Sequence, residues 1–235
     1  MRRLMIFGTA FLAVLSTAAA ARAQVDPNRC GLTDFVDQAL DGGAEAYRVT
    51  APGRSYFRED GDGCPDAAAC QAKSYVVGKD RVLVSKVRNG WACAWYGAAA
   101  RQTAGWLRAA GLTKAAKPPT SKIDWPGEWS RDENSSVSIT RDVQGRMHVE
   151  ASTVNTRRPS TPSGGFGGAL LVEGASALYS DYDAKADAAY KAQFPGEPSP
   201  PSCAAKFRRV DRYLIVSDTQ ACNGVGASLL GVYAR

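Results

Sequence analysis

A cysteine lies among aromatic residues in the stretch GWACAWY, residues 90–96, and two chemistries are open to it. Cys93 is either a reactive thiol in an aromatic pocket or one half of a disulfide beneath a small core. A cysteine nucleophile needs a base, usually histidine, to hold it as a thiolate. The only histidine of the chain, His148, lies far away in sequence. We therefore predict a structural role for Cys93.

The cysteine content favours disulfides over metal or redox chemistry. The six cysteines form an even set without a CxxC motif, and one histidine offers little for a zinc site. The set predicts three disulfides among Cys30, Cys64, Cys70, Cys93, Cys203 and Cys222. We expect no cofactor and no metal.

The first residues predict an exported protein. Arg2 and Arg3 precede an apolar run that ends in a small-x-small motif at Ala23, as in a cleaved secretory signal peptide at residues 1–23. No later stretch is apolar enough to span a bilayer. We expect a chain without a membrane span after signal removal, in the periplasm or secreted, where thiols pair.

Other chemistry-bearing groups form no recognisable catalytic or metal-binding pattern. His148 lies in RMHVEA, a strand pattern that places it on the solvent face, and no GxSxG motif accompanies it. Two aspartate-containing stretches, REDGDGCPD and SDYDAKAD, lack the ligand spacing of a calcium loop. Spacing singles out no glycosidase pair among the carboxylates of Glu128, Glu133, Glu150 and Glu173.

The charge balance argues against nucleic acid as a partner. Loss of Arg2, Arg3 and Arg22 with the signal leaves 26 basic and 23 acidic side chains, a net charge of +3. A nucleic-acid-binding domain carries a stronger and more clustered positive charge than this.

The elements that would position these groups fall into two mainly β regions. Residues 24–113 precede a Pro- and Lys-rich linker at residues 114–123, and residues 124–235 follow it. In the first region, GLTDFVDQALDGG predicts a short helix ending at Gly43. Asn89-Gly90 predicts a hairpin turn, and Trp91, Cys93 and Trp95 share one face of the strand after it.

The stretches YVVGKDRVLV, GWACAWY and TAGWLRAAGL, in this order, resemble the bacterial SH3-like domain of exported proteins over about residues 46–112. The resemblance implies a small barrel that binds peptides or glycans. It also implies a Cys70–Cys93 disulfide, which leaves Cys30 to pair with Cys64. Aromatic residues line a groove in such barrels, and Tyr96 and Trp106 are the candidates for ligand binding here.

The second region predicts an antiparallel barrel or sandwich, with turn residues about every ten positions. Ser160–Gly168, STPSGGFGG, is interpreted as a flexible loop. The segments WPGEW and LIVSDTQACNGVGASLLGVYAR resemble a β-barrel domain of uncharacterised exported bacterial proteins. Within that resemblance Cys203 pairs with Cys222, which stabilises the fold by about 3 kcal/mol.

Three functions are compatible with these observations. The first is a non-enzymatic binding protein whose SH3-like module recognises a cell-wall peptide or glycan, or a periplasmic protein. The alternative is a periplasmic inhibitor of a secreted hydrolase such as lysozyme, which would fill the active site with a rigid loop. The third is a wall hydrolase that uses carboxylates.

Overall fold

The computed structural model describes residues 28–98, 101–116, 123–156 and 161–235. The predicted signal peptide and residues 117–122 of the predicted linker lie outside this part of the chain. Lys114 and Ala115 do not begin a linker, because Lys114 ends a strand and the amide of Ala115 donates to the carbonyl of Ala46 at 2.8 Å.

The fold is mainly β, as the sequence predicts, with a seven-stranded antiparallel sheet and a separate closed eight-stranded barrel. The sheet has the order β3-β2-β6-β5-β4-β1-β7, so β3 and β7 are its edges. Its strands are β1 (Glu45–Val49), β2 (Arg54–Arg58), β3 (Gln71–Val77), β4 (Arg81–Arg88), β5 (Trp91–Ala98), β6 (Arg101–Arg108) and β7 (Leu112–Lys114).

The predicted first helix is confirmed as α1 (Leu32–Gln38), which continues as a wider turn over Ala39–Gly43. Phe35 and Val36 bury its apolar face against one side of the sheet. That side includes Trp91, Cys93 and Trp95, which share a face as predicted because side chains alternate along a strand. The opposite side of the sheet covers a second core around Phe57, Val76 and Leu107.

The barrel closes in the order β10-β11-β12-β13-β14-β15-β8-β9, and its interior is filled by side chains such as Trp129, Phe207 and Tyr233. Helix α2 (Ala184–Gln193) lies between β12 and β13 in the chain. The barrel strands are β8 (Gly127–Asp132), β9 (Ser135–Arg141), β10 (Met147–Val154), β11 (Ser163–Glu173), β12 (Ser176–Ser180), β13 (Ala204–Val210), β14 (Tyr213–Asp218) and β15 (Gly231–Ala234).

The interpretation of Ser160–Gly168 as a flexible loop is wrong for residues 163–168. Residues from Ser163 onward belong to β11, whose residues 163–170 pair with the whole of β10, from Val154↔Ser163 to Met147↔Leu170. The glycines allow close approach: a Cβ on Gly165 would lie 2.5 Å from the carbonyl oxygen of Ala151. Glycine here therefore permits strand packing.

All six cysteines form disulfides, as predicted, but two of the expected pairs are wrong. The bonds join Cys30 to Cys93, Cys64 to Cys70, and Cys203 to Cys222. Cys70 directly precedes β3, which β2 and β6 separate from β5 and its Cys93. At about 4.8 Å per strand this distance exceeds the reach of a disulfide. Cys30 reaches Cys93 because α1 packs on the face of β5 that carries it.

The sheet and the barrel share a hydrophobic interface. Val210, Tyr213, Ile215 and Val232 project from the outer surface of the barrel into the core formed by α1 and the sheet. The rings of Trp95 and Tyr213 meet edge to face, with centroids 5.2 Å apart. This interface fixes the polar cleft described below.

Candidate functional site

The two predicted ligand-binding aromatics do not lie together. Trp106 of β6 pairs with Cys93 of β5 and packs into the core shared with α1. Tyr96 lies three positions beyond Cys93, so its side chain projects from the opposite face of the sheet, where it packs against the second core. One groove therefore cannot contain both rings.

Tyr96 is half-buried at the end of β5. Burial raises the pKa of its phenol, and the carboxylate of Asp80, to which it is hydrogen-bonded, raises it further, while Arg212 acts in the opposite direction. The hydroxyl is thus neutral and directed to a partner within the chain. This arrangement is typical of a structural tyrosine.

Trp106 lines a groove of about 340 Å³ beside the β2–β3 loop, together with Trp91, Asp62 and Asp66. Only 3% of its surface is exposed, which leaves no open ring face for stacking. Trp91 is equally buried, and its Nε1 donates to Asp66 at 3.0 Å. The groove therefore offers carboxylates and ring edges, and it lacks the predicted aromatic platform.

A larger concavity, which we call the junction cleft, lies where the sheet meets the barrel. Its two adjoining lobes have volumes of about 780 and 500 Å³ and share Gln102, Arg131 and the β8–β9 turn at residues 132–134. The remaining lining side chains are mostly small or polar and include Trp95, Ser130, Ser136, Ser152, Val154, Asn155, Ser228, Val232, Ala234 and Arg235.

Arg131 anchors the barrel side of the junction cleft. Its Nη1 donates to the carbonyl oxygens of Ser228 and Leu230 at 2.9 and 2.7 Å, and its Nη2 donates to Oγ of Ser135 at 2.6 Å. The Ser135 hydroxyl in turn contacts the hydroxyl of Thr153 at 2.9 Å, and both residues are buried. The guanidinium thus ties the end of β8 to β10 and to the segment that precedes β15.

Asp132 completes this anchor as an ionised group. Burial alone would raise the pKa of its carboxyl, but hydrogen bonds from Arg131 and from the backbone amide of Asn134 outweigh that effect and lower it. The Arg131 Nε donates to Oδ2 at 3.0 Å, and the Asn134 amide donates to Oδ1 at 2.9 Å. The shape of the turn is therefore held by charge-assisted hydrogen bonds.

Gln102 fixes the opposite wall of the cleft. Its Oε1 accepts a hydrogen bond from Trp95 Nε1 at 3.0 Å, and its Nε2 donates to the carbonyl oxygen of Val232 in the barrel at 2.7 Å. One amide side chain thereby connects the sheet to the barrel. Sequence reasoning missed it because the two partners of this bond are 130 residues apart.

Three side chains on residues 130–134 of the cleft remain available to a ligand. Glu133 and Ser130 are exposed and Asn134 is half-buried, and within the described residues their side chains make no hydrogen bond or ion pair. They offer a carboxylate, a hydroxyl and an amide on one short segment. Such a set can accept hydrogen bonds from hydroxyl groups and also donate to carbonyl or ether oxygens.

The other candidate catalytic groups lie elsewhere. His148 is on the outer surface of the barrel, as predicted, with Nε2 3.2 Å from the Asp142 carboxylate. Glu128 and Glu150 flank Ser138 on that same outer surface, and Glu173 is at the end of β11. The structure therefore does not bring the four glutamates together in a cleft.

The described part of the chain contains no group of three or more His, Cys, Asp or Glu side chains placed to hold a metal ion. Within the same residues, neither helix has the length and apolar composition needed to cross a bilayer. Comparison of the chain with protein-family models, with curated proteins and with solved structures finds no match. The resemblance to SH3-like domains accordingly stays a prediction.

Proposed function

We propose that this protein is an exported, non-enzymatic binding protein whose junction cleft recognises a hydroxyl- and amide-rich ligand, a glycan strand of the cell wall. The observation that carries the proposal is the set of unbonded polar side chains on the segment from the end of β8 through the β8–β9 turn, Ser130, Glu133 and Asn134, in a two-lobed cleft between the sheet and the barrel. Ligand sites occur preferentially at such junctions and have volumes of this order.

The chemistry of the cleft suits a sugar chain. Sugar hydroxyls would donate to the carboxylate of Glu133, and the amide of Asn134 would both accept and donate. Val154 and Ala234 add small apolar surfaces for the C–H faces of the rings. Because Arg131 and Gln102 already hold the walls, little ordering entropy is lost when the ligand binds.

The disulfide bonds are consistent with a function in the cell envelope. Three disulfides indicate an oxidising, extracytoplasmic environment. We further propose that the protein is periplasmic or secreted, which the predicted signal peptide at residues 1–23 supports.

The proposal is tested by co-sedimentation with purified peptidoglycan and by calorimetry with soluble wall glycan oligomers. We expect Glu133→Gln and Asn134→Ala each to weaken binding about tenfold, the effect of one strong hydrogen bond. Glu150→Gln is the matched control, since Glu150 is exposed on the barrel surface outside the cleft. Failure of the unmodified protein to bind, or equal losses for Glu133→Gln and Glu150→Gln, would contradict the proposal.

A second candidate function is inhibition of a secreted hydrolase, and the loop at residues 223–228 favours it. Val225 at its tip is 92% exposed. The base is clamped by the Cys203–Cys222 disulfide and by Asp218, whose Oδ1 accepts from the Leu229 amide at 3.0 Å. A rigid loop with an apolar tip can enter the active site of a partner without a large entropic cost.

One substitution distinguishes this second function from the first. If the loop inhibits, the protein lowers lysozyme activity in a cell-wall turbidity assay, and Val225→Asp abolishes that effect while leaving sedimentation with peptidoglycan unchanged. Undiminished lysozyme activity in the presence of excess protein would exclude inhibition of this enzyme.

A further inference from the structure

Strand β3 forms an unprotected edge of the first sheet. It has β2 as its one neighbour in the sheet order, so alternate backbone amides and carbonyls along the strand are not used by a ladder. At the two ends of β3 the amides have local partners, since Gln71 donates to the carbonyl oxygen of Ala68 and Val77 donates to the Asp80 carboxylate at 2.8 Å, so the open groups are those of the central residues. Tyr75 and Val77 on this strand are 40% and 41% exposed. Natural edge strands are usually short, covered or interrupted, because an exposed edge pairs with other strands.

An aromatic and cationic surface adjoins this edge. Tyr75 lies opposite Tyr56 of β2, with ring centroids 5.6 Å apart. The guanidinium carbon of the exposed Arg54 lies 4.6 Å from the centroid of the Tyr75 ring. Lys73 projects from the same face of β3, two positions before Tyr75, and is also exposed.

The charged side chains of β2 and β3 themselves all have one sign, while the nearby carboxylate of Asp80 accepts a hydrogen bond from the Val77 amide at the end of β3. The sequences of β2 and β3, RSYFR and QAKSYVV, contain three basic side chains and no aspartate or glutamate. Arg58 is engaged by the β2–β3 loop, where its Nη1 donates to the carbonyl oxygens of Ala67 and Ala68 at 3.0 and 3.3 Å. Arg54 and Lys73 make no ion pair within the described residues, so their charges are available to a partner.

From these observations we propose that the β3 edge binds an extended acidic peptide segment of a partner protein as an additional strand of the sheet. The open backbone groups of β3 supply donors and acceptors whose spacing matches that of the backbone of an extended peptide. Tyr75 and Val77 contact alternate apolar side chains of the added strand, while Arg54 and Lys73 attract its carboxylates. The site is separate from the junction cleft, whose lining contains no residue of β3.

The probe is an end-blocked nine-residue peptide, Glu-Thr-Val-Thr-Glu-Thr-Val-Thr-Glu, in which glutamate and valine alternate on one face of the extended strand. The control peptide has lysine in place of every glutamate. We expect binding of the acidic peptide to slow deuterium exchange at β3 amides, measured by mass spectrometry, and to weaken as ionic strength rises. The lysine peptide should not bind. Binding of the acidic peptide without protection of β3 would overturn the proposal, as would absence of binding at millimolar peptide.

Charge-reversal variants locate the contact. Lys73→Glu and Arg54→Glu should each weaken binding of the acidic peptide by about three- to tenfold, as expected for loss of an exposed ion pair followed by repulsion. Lys185→Glu on α2 is the matched control, because Lys185 is exposed on the barrel and away from the sheet. Equal effects of Lys73→Glu and Lys185→Glu would show that net charge, and not the β3 edge, controls binding.

Discussion

The barrel and the sheet pair their strands and bury their hydrophobic side chains in different ways. The barrel pairs every strand on both sides and fills its interior with large side chains, among them Trp129, Phe207 and Tyr233. The sheet is open, and it relies on α1, on contact with the barrel and on two of the three disulfides. Closure removes edges, whereas an open sheet needs crosslinks and neighbours.

This difference also determines where each region can bind. Large buried side chains occupy the interior of the barrel. Unbonded polar groups instead occur where the sheet meets the barrel, and unpaired backbone groups occur at the β3 edge. In this proposal the barrel supports the rest of the molecule, and the binding surfaces lie in the junction cleft and at the β3 edge of the sheet.

The largest expected effect tests the dependence of the sheet on crosslinks. The Cys30–Cys93 bond closes 63 residues and the Cys64–Cys70 bond closes six. Chain entropy then predicts losses of about 4 kcal/mol for Cys30→Ala with Cys93→Ala, and about 2 kcal/mol for Cys64→Ala with Cys70→Ala. Urea unfolding followed by tryptophan fluorescence measures both. Equal losses would show that loop length does not control the stability of this region.

The second prediction tests the interface between the two bodies. Ile215 projects from β14 into the shared core, whereas its neighbour Val216 projects into the barrel. Ile215→Ala should lower the free energy of unfolding by about 3 kcal/mol and speed hydrogen exchange in α1 as well as in β14. Val216→Ala, the matched control, should speed exchange in the barrel alone. Unchanged exchange in α1 for Ile215→Ala would mean that the two bodies are energetically independent.

Local patterns were sufficient to predict much of the fold. Alternation placed Trp91, Cys93 and Trp95 on one face, Asn89-Gly90 marked the β4–β5 hairpin, and His148 was assigned correctly to the outer surface. These features depend on neighbours within a few residues. The mainly β class follows from them.

Features that depend on distant contacts were not predictable in the same way. Cys93 pairs with Cys30 because of the position of α1, which the order of cysteines does not encode. Gln102 connects the sheet to the barrel because it donates to the carbonyl oxygen of Val232, which is 130 residues away in the sequence. Tyr96 and Trp106 do not line one groove, because they lie on opposite faces of the sheet. The glycines of β11 suggested a loop, but they are needed there because β10 and β11 pack closely.

The third prediction addresses those glycines. A Cβ on Gly165 would lie 2.5 Å from the Ala151 carbonyl oxygen, whereas one on Gly167 would lie 3.5 Å from the Glu150 side chain. Gly165→Ala should therefore destabilise the barrel by about 2 kcal/mol, because backbone must move. Gly167→Ala should be neutral or slightly stabilising, since it restricts the unfolded chain without a clash. Thermal unfolding compares the two, and equal tolerance would contradict the packing of β11 against β10.

The smallest effect concerns acid stability at the junction. Because hydrogen bonds lower the pKa of Asp132 in the folded protein, its ionised form stabilises the fold above the pKa of the unfolded chain, near 3.8. This contribution disappears as the pH falls below about 4 toward the lower folded pKa, when the carboxyl is protonated. Asp132→Asn should cost about 1 kcal/mol at pH 6 and flatten the decline of stability between about pH 4 and pH 2. Urea midpoints over that range measure the slope, with Asp62→Asn as an exposed control that should retain the slope of the unmodified protein. An unaltered acid slope in Asp132→Asn would show that the Arg131–Asp132 contact does not hold the cleft together.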